Sequence, residues 1–151
     1  MIGRRIILLI SSECRAPPSN PAVSNSIKEA QQQATLARKT LKEGEKNAAA
    51  AKVEDRAAIK EQAKIKYMQY KTNVIQHFLK AEKHATGNEK LAIQMELAQK
   101  YWYSQNYRLC LEYYTRVAEG TDQIYLRKEA LMHVSQCQNK IADTDRNDTR
   151  E

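Results

Sequence analysis

The chain has 151 residues and a formal net charge of +7, from 25 Lys and Arg against 18 Asp and Glu. This length allows one domain of ordinary size, and four Gly and three Pro argue against a fold built from strands and tight turns. No apolar run reaches the roughly 18 residues of a membrane span, no period-two alternation predicts a sheet, and an odd count of three cysteines gives no disulfide framework.

Residues 1–24 are predicted to form a leader or a disordered tether. Two arginines precede a short apolar run at 6–10, and Cys14 is followed by a Pro/Ser/Asn-rich stretch. This layout resembles a bacterial lipoprotein signal, which implies that Cys14 is lipidated and that the protein is membrane-anchored or periplasmic. The apolar run is shorter than the roughly 7–15 residues of a typical signal, and Glu13 stands where that family has a small residue. A plain disordered N-terminus on a cytoplasmic protein is the alternative.

Residues 25–66 are predicted to form a long, partly solvated helix of low complexity. Apolar residues larger than Ala are sparse and keep no strict heptad, so a sustained coiled coil is only weakly indicated. Alanines including Ala30, Ala34 and Ala37 form a face that can lie against another helix. Residues 28–66 carry ten Lys and Arg against six Asp and Glu. This excess indicates an alternative function, the binding of nucleic acid or acidic surfaces.

Residues 67–142 are predicted to form the helical core. Apolar residues recur every three or four positions over 67–85, as on one face of an amphipathic helix. A turn at 86–88 separates this segment from helices at 89–104, 107–119 and 123–142, with breaks at 105–106 and 120–122. Residues 143–151 have no apolar content and are predicted to be disordered. The fold class is therefore all-α, with antiparallel helical hairpins preceded by a long helix.

The large aromatic residues are concentrated in one stretch. Six of the eight Tyr and the only Trp fall between residues 101 and 125. In two helices joined by a tight turn, the small Ala98 and Cys110 allow the helix axes to approach closely. The larger Tyr101, Tyr107 and Tyr114 then fill the space on either side. The concentration of aromatics therefore marks the core.

The same residues resemble the tetratricopeptide repeat, a helix-turn-helix unit of about 34 residues. The pattern spans 91–141, with Gln94 in the place of the usual first aromatic residue. Matches to the core positions of one repeat are Leu97, Ala98, Tyr101, Tyr107, Cys110, Tyr114 and Val117. A following capping helix is similar to the start of a second repeat, with Leu131, Val134 and Ser135 at the core positions.

The resemblance implies a non-enzymatic scaffold or adaptor that holds a peptide or helix of a protein partner on a concave face. No small-molecule substrate is expected. The residues it places on this face are Met95, Gln99, Trp102, Tyr103, Met132, His133, Gln136 and Lys140. The pattern is also similar to the microtubule-interacting and trafficking domain, a three-helix bundle, which stays open as an alternative.

No pattern in the sequence predicts an enzyme, a cofactor or a metal site. His77 and His84 lie seven residues apart without the Cys, Asp or Glu partners that a metal ion needs. No cysteine has the histidine base and oxyanion hole of a nucleophile. Cys110 and Cys137 fall on adjacent predicted helices, where we expect two buried, reduced thiols near one another.

Overall fold

The computed structural model describes residues 20–148, so Cys14 and most of the predicted leader lie outside the described residues. The described residues form α1 (Pro21–Ala50), α2 (Val53–His84), α3 (Gly87–Tyr103), α4 (Tyr107–Gly120) and α5 (Ile124–Asp148). The predicted all-α class with antiparallel helical hairpins is confirmed. The helices belong to two compact units, Pro21–Ala81 and residues 82–148, so the division falls near the end of α2.

The first unit is a hairpin of α1 and α2 that turns at residues 51–52. This turn lies inside the segment 25–66, which the sequence predicted as one helix, and residues 21–24 of the predicted leader already belong to α1. The run of alanines before the turn gives no stop signal, since Ala is the best helix former. The turn is held by Arg56, whose Nε donates to the Ala51 carbonyl at 3.2 Å. Glu54 and Asp55 favour the start of α2 because carboxylates stabilise the positive end of a helix.

Small residues line the contact between α1 and α2. Val23, Ala30, Ala37 and Gly44 lie seven residues apart along α1, and all four are buried. A Cβ atom on Gly44 would lie 2.3 Å from the Cβ of Ala63, so the two backbones approach more closely here than any larger side chain permits.

Polar contacts fix the antiparallel register of this hairpin. Asn73 Nδ2 donates to Gln33 Oε1 at 3.0 Å, and His77 Nδ1 lies 2.9 Å from Glu29 Oε2. The partners in the two pairs are displaced by four residues in opposite directions, as antiparallel helices require. The alanine face predicted from the sequence is therefore a helix-packing surface.

In the second unit, α4 packs between α3 and α5. The buried apolar residues of these three helices form the core, namely Ile93, Met95, Leu97, Ala98, Tyr101, Cys110, Tyr113, Tyr114, Val117, Ala118, Ala130 and Cys137. Of the six tyrosines between residues 101 and 125, Tyr101, Tyr113 and Tyr114 belong to this core, whereas Tyr103 and Tyr125 are exposed, so the predicted link between the aromatic cluster and the core holds for half of them. Tyr107, at the start of α4, is half-buried.

Both turns of the second unit are closed by side chains. Asn106 precedes α4, and its Oδ1 accepts from the Leu109 N–H at 3.3 Å. Gln105 adopts a positive φ of 60° in the same turn. After α4, Arg127 of α5 donates to the carbonyls of Ala118 at 3.3 Å and Thr121 at 2.6 Å. One guanidinium thus provides hydrogen-bond donors for carbonyls at the end of α4 that have no partner within the helix.

The structure corrects the predicted core positions of α5. Leu131 is 49 % exposed, Ser135 is exposed and Val134 is half-buried. Ala130 and Cys137 are fully buried instead. The helix therefore presents its small residues to α4, because those allow the two axes to come close.

The predicted disordered tail is also corrected, since α5 continues to Asp148. Its last turns carry polar contacts, among them an ion pair between Asp145 and Arg108 of α4 at 3.7 Å. Arg146 Nη2 lies 2.9 Å from Asp143 Oδ1, and Thr144 Oγ1 donates to the Lys140 carbonyl at 2.9 Å. Residues 149–151 lie outside the described residues.

Candidate functional site

The structure separates the predicted partner-binding residues of α3 into buried and accessible ones. Met95 is only 5 % exposed, so it belongs to the core and its predicted place on a binding face is wrong. Gln99 and Trp102 are half-buried, and the Trp102 ring meets Tyr107 edge-on with centroids 5.3 Å apart. Tyr103 is 68 % exposed. Of these four residues, Tyr103 is therefore the one that a partner can reach most freely.

The predicted residues of α5 gather around a stacked pair of rings. His133 lies parallel to Tyr114 of α4, with centroids 4.6 Å apart and planes inclined by 18°. Gln136 Oε1 lies 3.0 Å from His133 Nδ1 and fixes the orientation of the imidazole. Met132 and Lys140 are exposed. Burial raises the pKa of the Tyr114 phenol, and Cys110, Cys137, Glu129 and Tyr103 raise it further.

One side of α5 carries large apolar side chains in solvent. Ile124, Tyr125, Leu131 and Met132 are 70, 58, 49 and 52 % exposed, and we call these four residues the outer strip. At 3.6 residues per turn they fall within about 120° of arc. The buried Ala130 and Cys137 lie on the opposite side, against α4. The outer strip is therefore the side of α5 that α4 leaves uncovered.

A half-buried carboxylate links the end of α2 to α3 and α4, and no pattern in the sequence predicts this link. Glu82, near the end of α2, accepts from Gln94 Nε2 of α3 at 2.8 Å and from Tyr113 OH of α4 at 3.1 Å. Arg116 Nη1 lies 3.6 Å from the same carboxylate, whose side chain is 12 % exposed. The tetratricopeptide resemblance identifies Gln94 only as a polar residue in the place of the usual first aromatic residue. The three residues that contact Glu82 lie 12 to 34 positions away in sequence, so no local pattern joins them.

The Glu82 cluster also sets the acidity of the tyrosines beside it. Burial, followed by the charge of Glu82 and its hydrogen bond, raises the pKa of Tyr113 to about 12. Burial and the same carboxylate raise the pKa of Tyr101, whose ring lies 5.5 Å from that of Tyr113. The Arg116 guanidinium stands 4.7 Å above the Tyr113 ring and partly offsets the negative charge. The two phenols of this cluster therefore stay protonated to a higher pH than an ordinary tyrosine does.

An open depression of about 670 Å³ lies beside this cluster, between the start of α3 and the end of α4. Its lining carries two cations, Lys90 of α3 and Arg116 of α4, and two carboxylates, Glu119 of α4 and Asp122 after it, so it has no single charge to select a ligand. The lining residues are Gly87, Asn88, Lys90, Leu91, Gln94, Arg116, Glu119, Gly120 and Asp122.

Within residues 20–148, no three His, Cys, Asp or Glu side chains are grouped to hold a metal ion. None of the helices described is long and apolar enough to cross a membrane.

Two thiols meet in the contact between α4 and α5. The Sγ atoms of Cys110 and Cys137 lie 2.6 Å apart, and both cysteines are free and fully buried. The proximity expected from the sequence is thus confirmed. Tyr114 lies one helical turn after Cys110, and His133 lies one turn before Cys137. The sulfur pair and the stacked rings are therefore neighbouring contacts, one helical turn apart, between the antiparallel helices α4 and α5.

Comparison of the chain with protein-family models, with curated proteins and with solved structures found no match. The tetratricopeptide resemblance of residues 91–141 accordingly stays a prediction.

Proposed function

We propose that the protein is a non-enzymatic adaptor that binds a helix or peptide of a protein partner through residues 82–148. The binding surface in this proposal comprises the outer strip of α5 and the exposed ring of Tyr103. The stacked rings of Tyr114 and His133 join α4 to α5 and so hold the helix that carries the outer strip.

The observation that carries the proposal is the exposure of the outer strip. Single exposed apolar residues are common on protein surfaces, but adjacent ones on one face are typical of interaction sites. Tyr is enriched among residues that dominate binding energy, and Met adapts its shape to different partners. The outer strip offers one Tyr, one Met and two aliphatic side chains on a single helix.

A tetratricopeptide-like arrangement of the helices supports this choice of surface. In such repeats the first helix of each unit lines the binding face, and α3 and α5 correspond to first helices. The proposal includes tethering through Cys14, because the layout of residues 1–24 resembles a lipoprotein signal.

An affinity capture with the full chain tests the adaptor proposal. The test variant is Tyr103→Ala/Met132→Ala, which removes one exposed anchor from each of two helices. The matched control is Ile65→Ala/Met68→Ala, because these residues of α2 are 50 and 49 % exposed and apolar as well. Each chain is immobilised and washed at low and high salt, and bound material is identified by mass spectrometry.

We expect a discrete protein that the wild-type chain and the control retain at high salt and that the test variant loses. Apolar contacts withstand salt, whereas exposed charge pairs are screened. Equal retention by the test variant and the control would falsify the assignment of the binding surface to Tyr103 and Met132.

The positive face of α1 favours a second candidate function, the binding of nucleic acid. Lys28, Arg38, Lys39, Lys42 and Lys46 are exposed and fall within about 100° of arc, on the side away from the buried small residues. The three carboxylates of α1 lie outside this arc, although Glu43 approaches Lys39 to 3.7 Å. A row of cations along one helix suits a phosphate backbone.

Salt dependence distinguishes this candidate from the adaptor. Binding of single-stranded or duplex nucleic acid is titrated at several salt concentrations with the wild-type chain and with Lys42→Gln/Lys46→Gln. If both lysines contact duplex phosphates, the slope of log affinity against log salt falls in magnitude by roughly 2. Identical slopes for the two proteins, or no binding at low salt, would exclude the positive face of α1 as a nucleic-acid site.

A further inference from the structure

The contact between Cys110 and Cys137 is closer than packing of two independent thiols requires. Their sulfurs are 2.6 Å apart, whereas non-bonded carbon atoms pack at about 3.5–4.0 Å. No other atom fits between them. Formation of a sulfur–sulfur bond of about 2.05 Å needs a further approach of only about half an ångström.

The surroundings hold the two sulfurs in this position. Both cysteines are fully buried. One turn away, the Tyr114–His133 stack keeps α4 and α5 in the same register, and Arg127 ties the start of α5 to the end of α4. The alignment is therefore a property of the helix pair and does not depend on two flexible side chains meeting by chance.

We propose that Cys110 and Cys137 are a dithiol–disulfide pair, which a disulfide-type oxidant converts into a covalent link between α4 and α5. This modification site is independent of the proposed partner and of the binding surface. It joins two positions 27 residues apart, so the link encloses the whole turn between the two helices.

The chemistry balances with oxidised glutathione as the oxidant. One cysteine thiolate attacks a glutathione sulfur, forms a mixed disulfide and releases one glutathione thiolate. The second cysteine then attacks the protein sulfur of the mixed disulfide and displaces the second glutathione. Two cysteine thiols lose two electrons and two protons, and one glutathione disulfide becomes two glutathione thiols.

Burial controls how fast this reaction starts. It raises the pKa of the Cys110 thiol, and the neighbouring Cys137 raises it further. Because the thiolate is the attacking species and both sulfurs are covered, oxidation of the folded chain requires α5 to open from α4. Oxidation should thus be slow in the native state and much faster during refolding.

The test uses the full chain with Cys14→Ser, which removes the third cysteine. The protein is refolded from urea with reduced and oxidised glutathione, and free thiols are then alkylated under denaturing conditions. We expect a monomer with no alkylatable thiol and a cross-linked peptide that contains Cys110 and Cys137. By the loop-entropy relation for a 27-residue separation, the melting temperature of the oxidised form should exceed that of the reduced form by roughly 10 °C.

A Cys137→Ala version of the same chain serves as the control. It should regain helical circular dichroism, carry at most one glutathione on Cys110 and show no such rise in melting temperature. The proposal is overturned if the Cys14→Ser chain refolds to full helicity with both thiols free, or if its cysteines join different molecules. It is equally overturned if the intramolecular bond forms but lowers the melting temperature.

Discussion

Glu82 contacts three other helical residues through one carboxylate, and its removal would leave two buried polar groups without their partner. Gln94 and Tyr113 are 7 and 6 % exposed, so water cannot easily replace the lost acceptor. An unsatisfied buried polar group costs about 1–3 kcal/mol. We therefore expect Glu82→Ala to lower the free energy of unfolding by about 2 kcal/mol, measured by urea denaturation.

Glu112 provides the matched control for this prediction. It also pairs with Arg116, four residues along α4, but its side chain is 49 % exposed. Exposed pairs of this kind contribute about 0.5 kcal/mol or less. If Glu112→Ala destabilises the chain as much as Glu82→Ala does, the burial of the Glu82 cluster is not what makes it stabilising.

Single residues show where sequence interpretation succeeds in this chain. Tyr101, Cys110 and Tyr114 are buried as their spacing predicted. Cys110 and Tyr114, however, contact Cys137 and His133 of α5, whereas the sequence argument placed them in the contact between α3 and α4. The burial of Met95 and the exposure of Leu131 were missed. A resemblance assigns positions to faces in fixed order, whereas a rotation of one helix by a single residue moves a side chain through about 100°.

At the level of elements, the α1–α2 hairpin depends on a glycine that packs against another backbone. Gly44→Ala adds a helix-favouring residue, which by itself stabilises a helix by about 1 kcal/mol. Its Cβ would, however, meet the Cβ of Ala63 at 2.3 Å. We expect the variant to be less stable than wild type in thermal unfolding, because the two helices must move apart along the line of small residues.

The double variant Gly44→Ala/Ala63→Gly isolates the cause. It restores the space by removing the opposing Cβ, so part of the lost stability should return although glycine is unfavourable inside α2. A double variant that is less stable than the sum of the two single effects would show that the Gly44–Ala63 contact is not the source of the loss.

Some helix ends in this chain can be predicted from the sequence and others cannot. The turns around Gly87, Asn106 and Gly120 were predicted because Gly and Asn favour helix ends. The turn after Ala50 was missed, since the residues there are strong helix formers and the stabilising hydrogen bond comes from Arg56, beyond the turn. The last turns of α5 were missed for a similar reason: charged side chains form polar contacts there, within the helix and with Arg108 of α4.

For the whole molecule, the buried phenols predict a loss of stability in alkali. The pKa of Tyr113 is about 12 in the folded chain against an ordinary value of 10.0. The unfolded chain thus releases this proton at a lower pH than the folded chain does. The stabilisation is complete below pH 10 and is lost as the pH rises to about 12. The pKa values of Tyr101 and Tyr114 are also raised in the folded chain, so these phenols contribute in the same direction.

Urea denaturation of the full chain at a series of pH values measures this loss. Tyr113→Phe removes the titrating group, so its stability should fall less between pH 10 and 12 than that of wild type. Tyr125→Phe, at a residue 58 % exposed, controls for the loss of a phenol. Parallel curves for Tyr113→Phe and wild type would mean that Tyr113 does not contribute to alkaline unfolding.

The neighbour-to-neighbour packing of α3, α4 and α5 has a consequence for synthesis in the cell. Contacts between sequence neighbours form quickly, so α3 and α4 can pair as soon as both have left the ribosome. The side of α4 that bears Cys110 and Tyr114 stays uncovered until α5 has been made. At about 5–20 residues per second, the 25 residues of α5 take roughly 1 to 5 seconds to make. During that interval the Cys110 thiol, later fully covered, is open to solvent and to any chaperone or oxidant that the nascent chain meets.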